Sequence, residues 1–156
     1  ALTSAPPRQP PLCETTIPPP APAAFLEALH VGVLAIPNGD GAPLTAPIWY
    51  DYRAGGDLWF LTGAQSQKGR LLQEGVKVTL VAQREEMPYA YVSVEGTVSA
   101  IRPCDKEADT RPMAHRYLGS EMGDAYTESG GGNDSVHISV TPTRWLTVDY
   151  SKTTLA

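Results

Sequence analysis

The chain has 156 residues, enough for one domain with a proper core, and 42% of them are hydrophobic. A net charge of −5 and a pI near 5.1 argue against general binding to nucleic acid or to anionic membrane surfaces. No apolar run approaches the ~20 residues that span a bilayer, and the first residues carry no basic or apolar signal region, so a cytoplasmic protein is expected.

Residues 1–22 hold eight of the fifteen prolines. Proline fixes φ and removes a donor, so this leader is expected to be extended or disordered rather than part of a sheet, with the domain proper over 23–156. Phe25, Leu26 and Leu29 have helical spacing, which predicts a short opening helix over 23–30. A buried strand over 31–36 follows. Asn38-Gly39-Asp40-Gly41 then reads as a hairpin turn, because asparagine and glycine tolerate positive φ. The return strand is placed over 44–53, a turn at 54–57, and a third strand over 58–62.

A helix of about two turns is expected over 67–74, stopped by Gly75. Alternation of Val76, Val78, Leu80 and Ala82 predicts the next strand, and a long strand over 89–101 carries Gly96 as a bulge. Residues 105–118 read as a helix capped by Asp105, with Pro112 threatening a kink. Residues 119–134 read as a polar loop, and 135–140 and 144–150 as two closing strands. Strands joined mostly by tight turns, with few helices and no βαβ alternation, indicate a mainly β antiparallel barrel of about six to seven strands.

The segment with the most chemistry is 58–72, where an apolar strand ends in small residues and a basic helix-like stretch begins. Thr62, Ser66 and Lys68 bring two hydroxyls and an ammonium to the helix start, as a phosphate requires. The same residues also suit an ordinary strand–turn–helix, with Ser66 as N-cap and Lys68 a solvated lysine. His30, His115 and His137 lie on separate elements with no ligand spacing, so no metal site is expected. Cys13 and Cys104 are read as reduced thiols.

From about residue 25 to 150 the chain resembles the flavin-binding split-barrel family related to pyridoxamine 5'-phosphate oxidase. The resemblance rests on Asn38-Gly39-Asp40-Gly41-Ala42-Pro43, Ala46-Pro47-Ile48-Trp49-Tyr50 and the segment 58–68. It continues in Val94-Glu95-Gly96-Thr97-Val98, His115-Arg116-Tyr117-Leu118-Gly119 and Thr141-Pro142-Thr143-Arg144-Trp145. It implies a Greek-key split β-barrel that binds FMN, or the deazaflavin coenzyme F420, between the subunits of a homodimer. It also implies that Thr62, Ser66 and Lys68 take the cofactor phosphate, with Arg70 as an auxiliary cation, and that Pro47, Ile48, Trp49 and Tyr50 run beside the ring. No side chain is required as a catalytic acid or base, since a flavin carries the chemistry.

Two departures bear on the substrate. No basic residue stands in Thr45-Ala46-Pro47-Ile48-Trp49-Tyr50, and the last strand, Trp145-Leu146-Thr147-Val148-Asp149-Tyr150, lacks a basic substrate-phosphate motif. An oxidoreductase acting on a small organic molecule other than pyridoxamine phosphate is therefore expected. FMN is preferred because few cations stand near the helix start to meet the polyanionic tail of F420. An F420-dependent reductase and a non-catalytic flavin-binding or storage protein are the alternatives.

Overall fold

The computed structural model describes residues 13–15 and 20–152. In chain order the elements are β1 (Cys13–Thr15), α1 (Pro20–Glu27), β2 (Gly32–Ile36), β3 (Leu44–Ile48), β4 (Tyr50–Tyr52), β5 (Leu58–Gly63) and α2 (Gln67–Leu71). They continue as β6 (Lys77–Arg84), β7 (Ala90–Pro103), a π turn (Lys106–Thr110), α3 (Arg111–Glu128), β8 (Ser135–Asp149) and a closing 3-10 turn (Tyr150–Lys152). No helix among the described residues is long and apolar enough to cross a membrane.

The strands pair antiparallel in the order β3-β2-β6-β7-β8-β5-β4, and β1 adds to β8. β3 and β4 stand at opposite ends of that order, yet only Trp49 separates them in the chain. The sheet must therefore curl until its two edges meet at Trp49, and the result is a split barrel. Strict alternation of buried and half-buried residues in β5 and through most of β7 shows one face turned inward. Leu34, Ile36, Leu58, Phe60, Leu80, Ile138 and Trp145 fill the interior. Removing such a side chain to alanine costs roughly 2–5 kcal/mol. Leu26 packs α1 onto this core, and the Tyr50 hydroxyl donates to the Leu26 carbonyl at 2.8 Å.

The elements differ from the sequence reading at several places, each with a physical cause. Within the leader, the proline-free triplet Cys13-Glu14-Thr15 pairs with Thr147, Leu146 and Trp145 of β8, so this part does join the sheet. The rest of the leader before residue 20 lies outside the described residues. Helix α1 begins at Pro20, where a missing N–H costs nothing. The return strand expected over 44–53 breaks at Trp49, because β3 and β4 serve different neighbours. α2 stops at Leu71. Gly75, at φ +90°, instead turns the chain into β6, its N–H donating to Val98 at 2.9 Å.

Pro112 does not kink α3, since it lies in the first turn, where proline is tolerated. The break falls at Gly119 (φ 80°, ψ 172°), and residues 120–128, expected as loop, are helical. The two closing strands are one, β8, which absorbs a bulge: Glu95 pairs with Arg144 and Gly96 with Pro142, leaving Thr143 as the extra residue. A Cβ on Gly96 would lie 2.5 Å from Val140 Cγ1, which explains the glycine beside that bulge.

Candidate functional site

A cleft of about 460 Å³ opens where the barrel seam meets α2 and α3. The end of β5 supplies Leu61, Thr62 and Gly63, and α2 with its cap supplies Ser66 and Lys68. The seam supplies Pro47, Ile48 and Trp49, and the α3 side supplies Thr110, Met113, Ala114 and Tyr126. Val31, Gly132 and Ser135 complete the lining.

The β5–α2 corner is built by a closed hydrogen-bond set. The Ser66 hydroxyl donates to the Gly63 carbonyl at 2.7 Å and accepts from the Gly69 N–H at 3.0 Å, so Ser66 is the N-cap. With its one hydrogen used, Ser66 accepts from the Thr62 hydroxyl at 3.2 Å. The corner is tight. A Cβ on Gly69 would stand 2.2 Å from the Gly63 oxygen and 2.7 Å from that of Ala64. Lys68 is half-buried in the cleft and has no acidic partner among the described residues. Among the described residues it is also the single charged side chain lining the cleft.

The seam side is aromatic. The Trp49 indole stacks on Tyr117, centroids 4.9 Å apart and planes 3° from parallel, and meets Tyr126 at 6.2 Å and 57°. Met113 and Ala114 are buried beside it on α3.

Behind this wall, α3 folds back on itself at Gly119. Gly123 of the second arm packs so closely on the first that a Cβ would lie 2.8 Å from the His115 N. Arg111 binds Glu107 at 2.8 Å and Asp124 at 2.7 Å and also pairs with Glu128, while His115 meets Asp124 at 2.6 Å. Within the π turn, buried Asp109 takes both Arg102 Nη1 at 2.6 Å and Arg102 Nη2 at 2.8 Å. Burial pushes the Asp109 carboxyl up, but the Arg102 guanidinium and the Asp105 N–H hold it below its ordinary value. His137 lies 3.9 Å from Asp109 and stacks on Trp59 at 4.8 Å. Burial, with the Arg102 charge, keeps its imidazole below the ordinary value. This group carries load for the fold and does not face the cleft.

Of the residues singled out from the sequence, Pro47, Ile48, Trp49, Thr62, Ser66 and Lys68 come together in the cleft. Arg70 is exposed and outside the lining, and Tyr50 points into the core with no exposed surface. The sequence reading assigns no site residue to α3. Tyr126 lies in 119–134, which reads as a polar loop, although Ser120 after Gly119 is a helix-restart signal.

A family model described as pyridoxamine 5'-phosphate oxidase matches residues 19–149. A solved structure described as an F420 reductase is 27% identical, with a TM-score of 0.67, over 81% of this chain and 97% of its own. A conserved hypothetical protein from Mycobacterium tuberculosis is 23% identical, with a TM-score of 0.70, over 90% and 91%. General Stress Protein 26 from Bacillus anthracis str. Sterne is 16% identical, with a TM-score of 0.57, over 82% and 92%. The last two are similar in fold alone. No curated protein matches.

Proposed function

Because the chain belongs to the pyridoxamine 5'-phosphate oxidase-related family of split barrels, we propose that its cleft binds a flavin-type cofactor and that the protein is an oxidoreductase. The observation that carries this reading is Lys68, half-buried and sharing the lining with Thr62 and Ser66, with no acidic partner among the described residues, in a cleft whose other wall presents the Trp49 indole and Tyr126. An ammonium held in that way favours an anion, and an indole wall favours a planar ring. Lys68 holds the phosphate, joined by the Thr62 hydroxyl once its hydrogen turns from Ser66 to the anion, while Ser66 fixes the corner; Pro47, Ile48 and Trp49 line the ring. Tyr50 serves through its backbone by keeping Trp49 in place.

When bound, such a cofactor exchanges a hydride with a small organic substrate, and the protein supplies binding, orientation and exclusion of water. Between the two cofactors, the 27% identity to an F420 reductase supports F420 over the FMN preferred from the count of cations. Arg70, exposed on α2 with no ion pair among the described residues, is available to an anionic tail beyond the phosphate. A second copy of the chain completes the site, since apolar Val31 lines the cleft while 53% exposed, with Leu29 57% and Val33 37% exposed beside it.

Parallel titrations of the purified full chain with F420 and FMN test the reading. Tighter binding of F420, with hydride exchange, is expected. Tighter binding of FMN overturns the choice of cofactor, and no binding of either overturns the flavin reading.

A further inference from the structure

Trp49 is the one residue between β3 and β4, at the seam where the sheet edges meet, so no strand ladder fixes it. Two consecutive residues of α3 take over that task. The Tyr117 hydroxyl accepts from the Tyr50 N–H at 3.0 Å and has one hydrogen to place, with the His30 carbonyl at 2.7 Å and the Tyr50 carbonyl at 2.9 Å. Arg116 Nε donates to the Tyr50 carbonyl at 3.1 Å. Its Nη2 donates to Glu27 and Ala28 carbonyls at 2.9 and 3.0 Å, and its Nη1 lies 3.3 Å from Asp51. The last turn of α1, the start of β2 and the start of β4 are thus tied to one point on α3.

Above that point the Tyr117 ring lies parallel to the Trp49 indole at 4.9 Å, so the indole cannot turn out of the cleft without losing the stack. Burial pushes the Tyr117 hydroxyl's pKa up, so it stays a neutral donor. Tyr117 thus shares the backbone beside Trp49 with Arg116 and alone stacks on the indole, yet it does not itself line the cleft.

We propose that Tyr117 is the positioning residue of this site, fixing Trp49 as a flat, uncharged platform for a planar ring while Lys68 takes the phosphate. The inference rests on the flavin reading above. It divides the work between two ends of the cleft, and that division can be measured.

The full chain, with Tyr117→Leu, Tyr117→Phe, Trp49→Leu and the paired variants, is titrated with F420 and with its phosphate-free ribityl deazaflavin. Melting curves are taken alongside. Tyr117→Leu is expected to weaken both ligands by the same factor, about tenfold, the scale of one aromatic contact. Tyr117→Phe, which keeps the stacked ring, is expected to lose less. In the Trp49→Leu background neither Tyr117 substitution should weaken binding further, because Tyr117 acts through Trp49. A general packing role would instead lower the melting temperature and add to the Trp49 loss. Running the cycle with Tyr117→Phe keeps it readable if Tyr117→Leu does not fold. Unchanged affinity in both Tyr117 variants, or additive losses, overturns the positioning role alone. Wild-type protein that binds neither ligand overturns the flavin reading and this one with it.

Discussion

At Ser66, Lys68 and Gly69 one short turn has to satisfy a helix cap and face a cleft at the same time. The Ser66 hydroxyl is committed on both sides, to Gly63 and to Gly69, so it fixes where Lys68 emerges. Gly69 is what lets the turn close, because any side chain there would meet the Gly63 carbonyl at 2.2 Å. Gly69→Ala should therefore push α2 off β5 and cost about 1–3 kcal/mol, the range for overpacking a closed contact. Denaturant melts would read the loss, and cofactor affinity should fall with it as Lys68 moves. The spacing of Thr62, Ser66 and Lys68 in the sequence points to one corner, and the structure brings all three to the cleft lining, with Ser66 as the N-cap of α2. That Tyr50 is a core residue is not legible in the sequence, because a tyrosine at a strand start looks the same whether its ring faces in or out.

Elements were legible where local pattern and tertiary demand agreed. The hairpin at Asn38-Gly39-Asp40-Gly41 closes with Gly41 N–H to the Asn38 carbonyl at 3.0 Å, and Asp105 caps its turn through Glu107 and Ala108. Long-range geometry decided the rest. Nothing local marks Trp49 as a strand break, since the break exists because β3 and β4 face different partners. Likewise Gly119 hid a helix that resumes at once. With φ 80° and ψ 172°, Gly119 occupies a region side chains avoid, so Gly119→Ala should cost about 1–3 kcal/mol and displace the arm that carries Tyr126. Hydrogen exchange over residues 120–128 would show faster opening than in the wild type.

The π turn and β8 make a second prediction at this scale. His137 has a folded pKa below its ordinary 6.5, chiefly from burial. The unfolded chain therefore takes up the proton first, and stability present above about pH 6.5 is lost as pH falls toward the folded value. Melting temperature should decline on acidification through that window. His137→Gln should flatten part of the decline, and an equal slope in both proteins would contradict it.

Over the whole molecule, the barrel brings the β5–α2 corner, the Trp49 seam and the α3 hairpin around one opening, with apolar residues on its rim. Light scattering with cofactor present should give twice the chain mass of 16.7 kDa, and a monomer would leave the rim unexplained. If this opening holds a flavin-type cofactor by its phosphate on Lys68, titrating wild type and Lys68→Ala with F420 and with its phosphate-free ribityl deazaflavin separates the two ligands. Lys68→Ala should weaken F420 by about 1.5–3 kcal/mol, as for a hydrogen bond to a charged group, and leave the phosphate-free analogue nearly unchanged. Equal weakening of both ligands, or of neither, would rule out the phosphate role of Lys68.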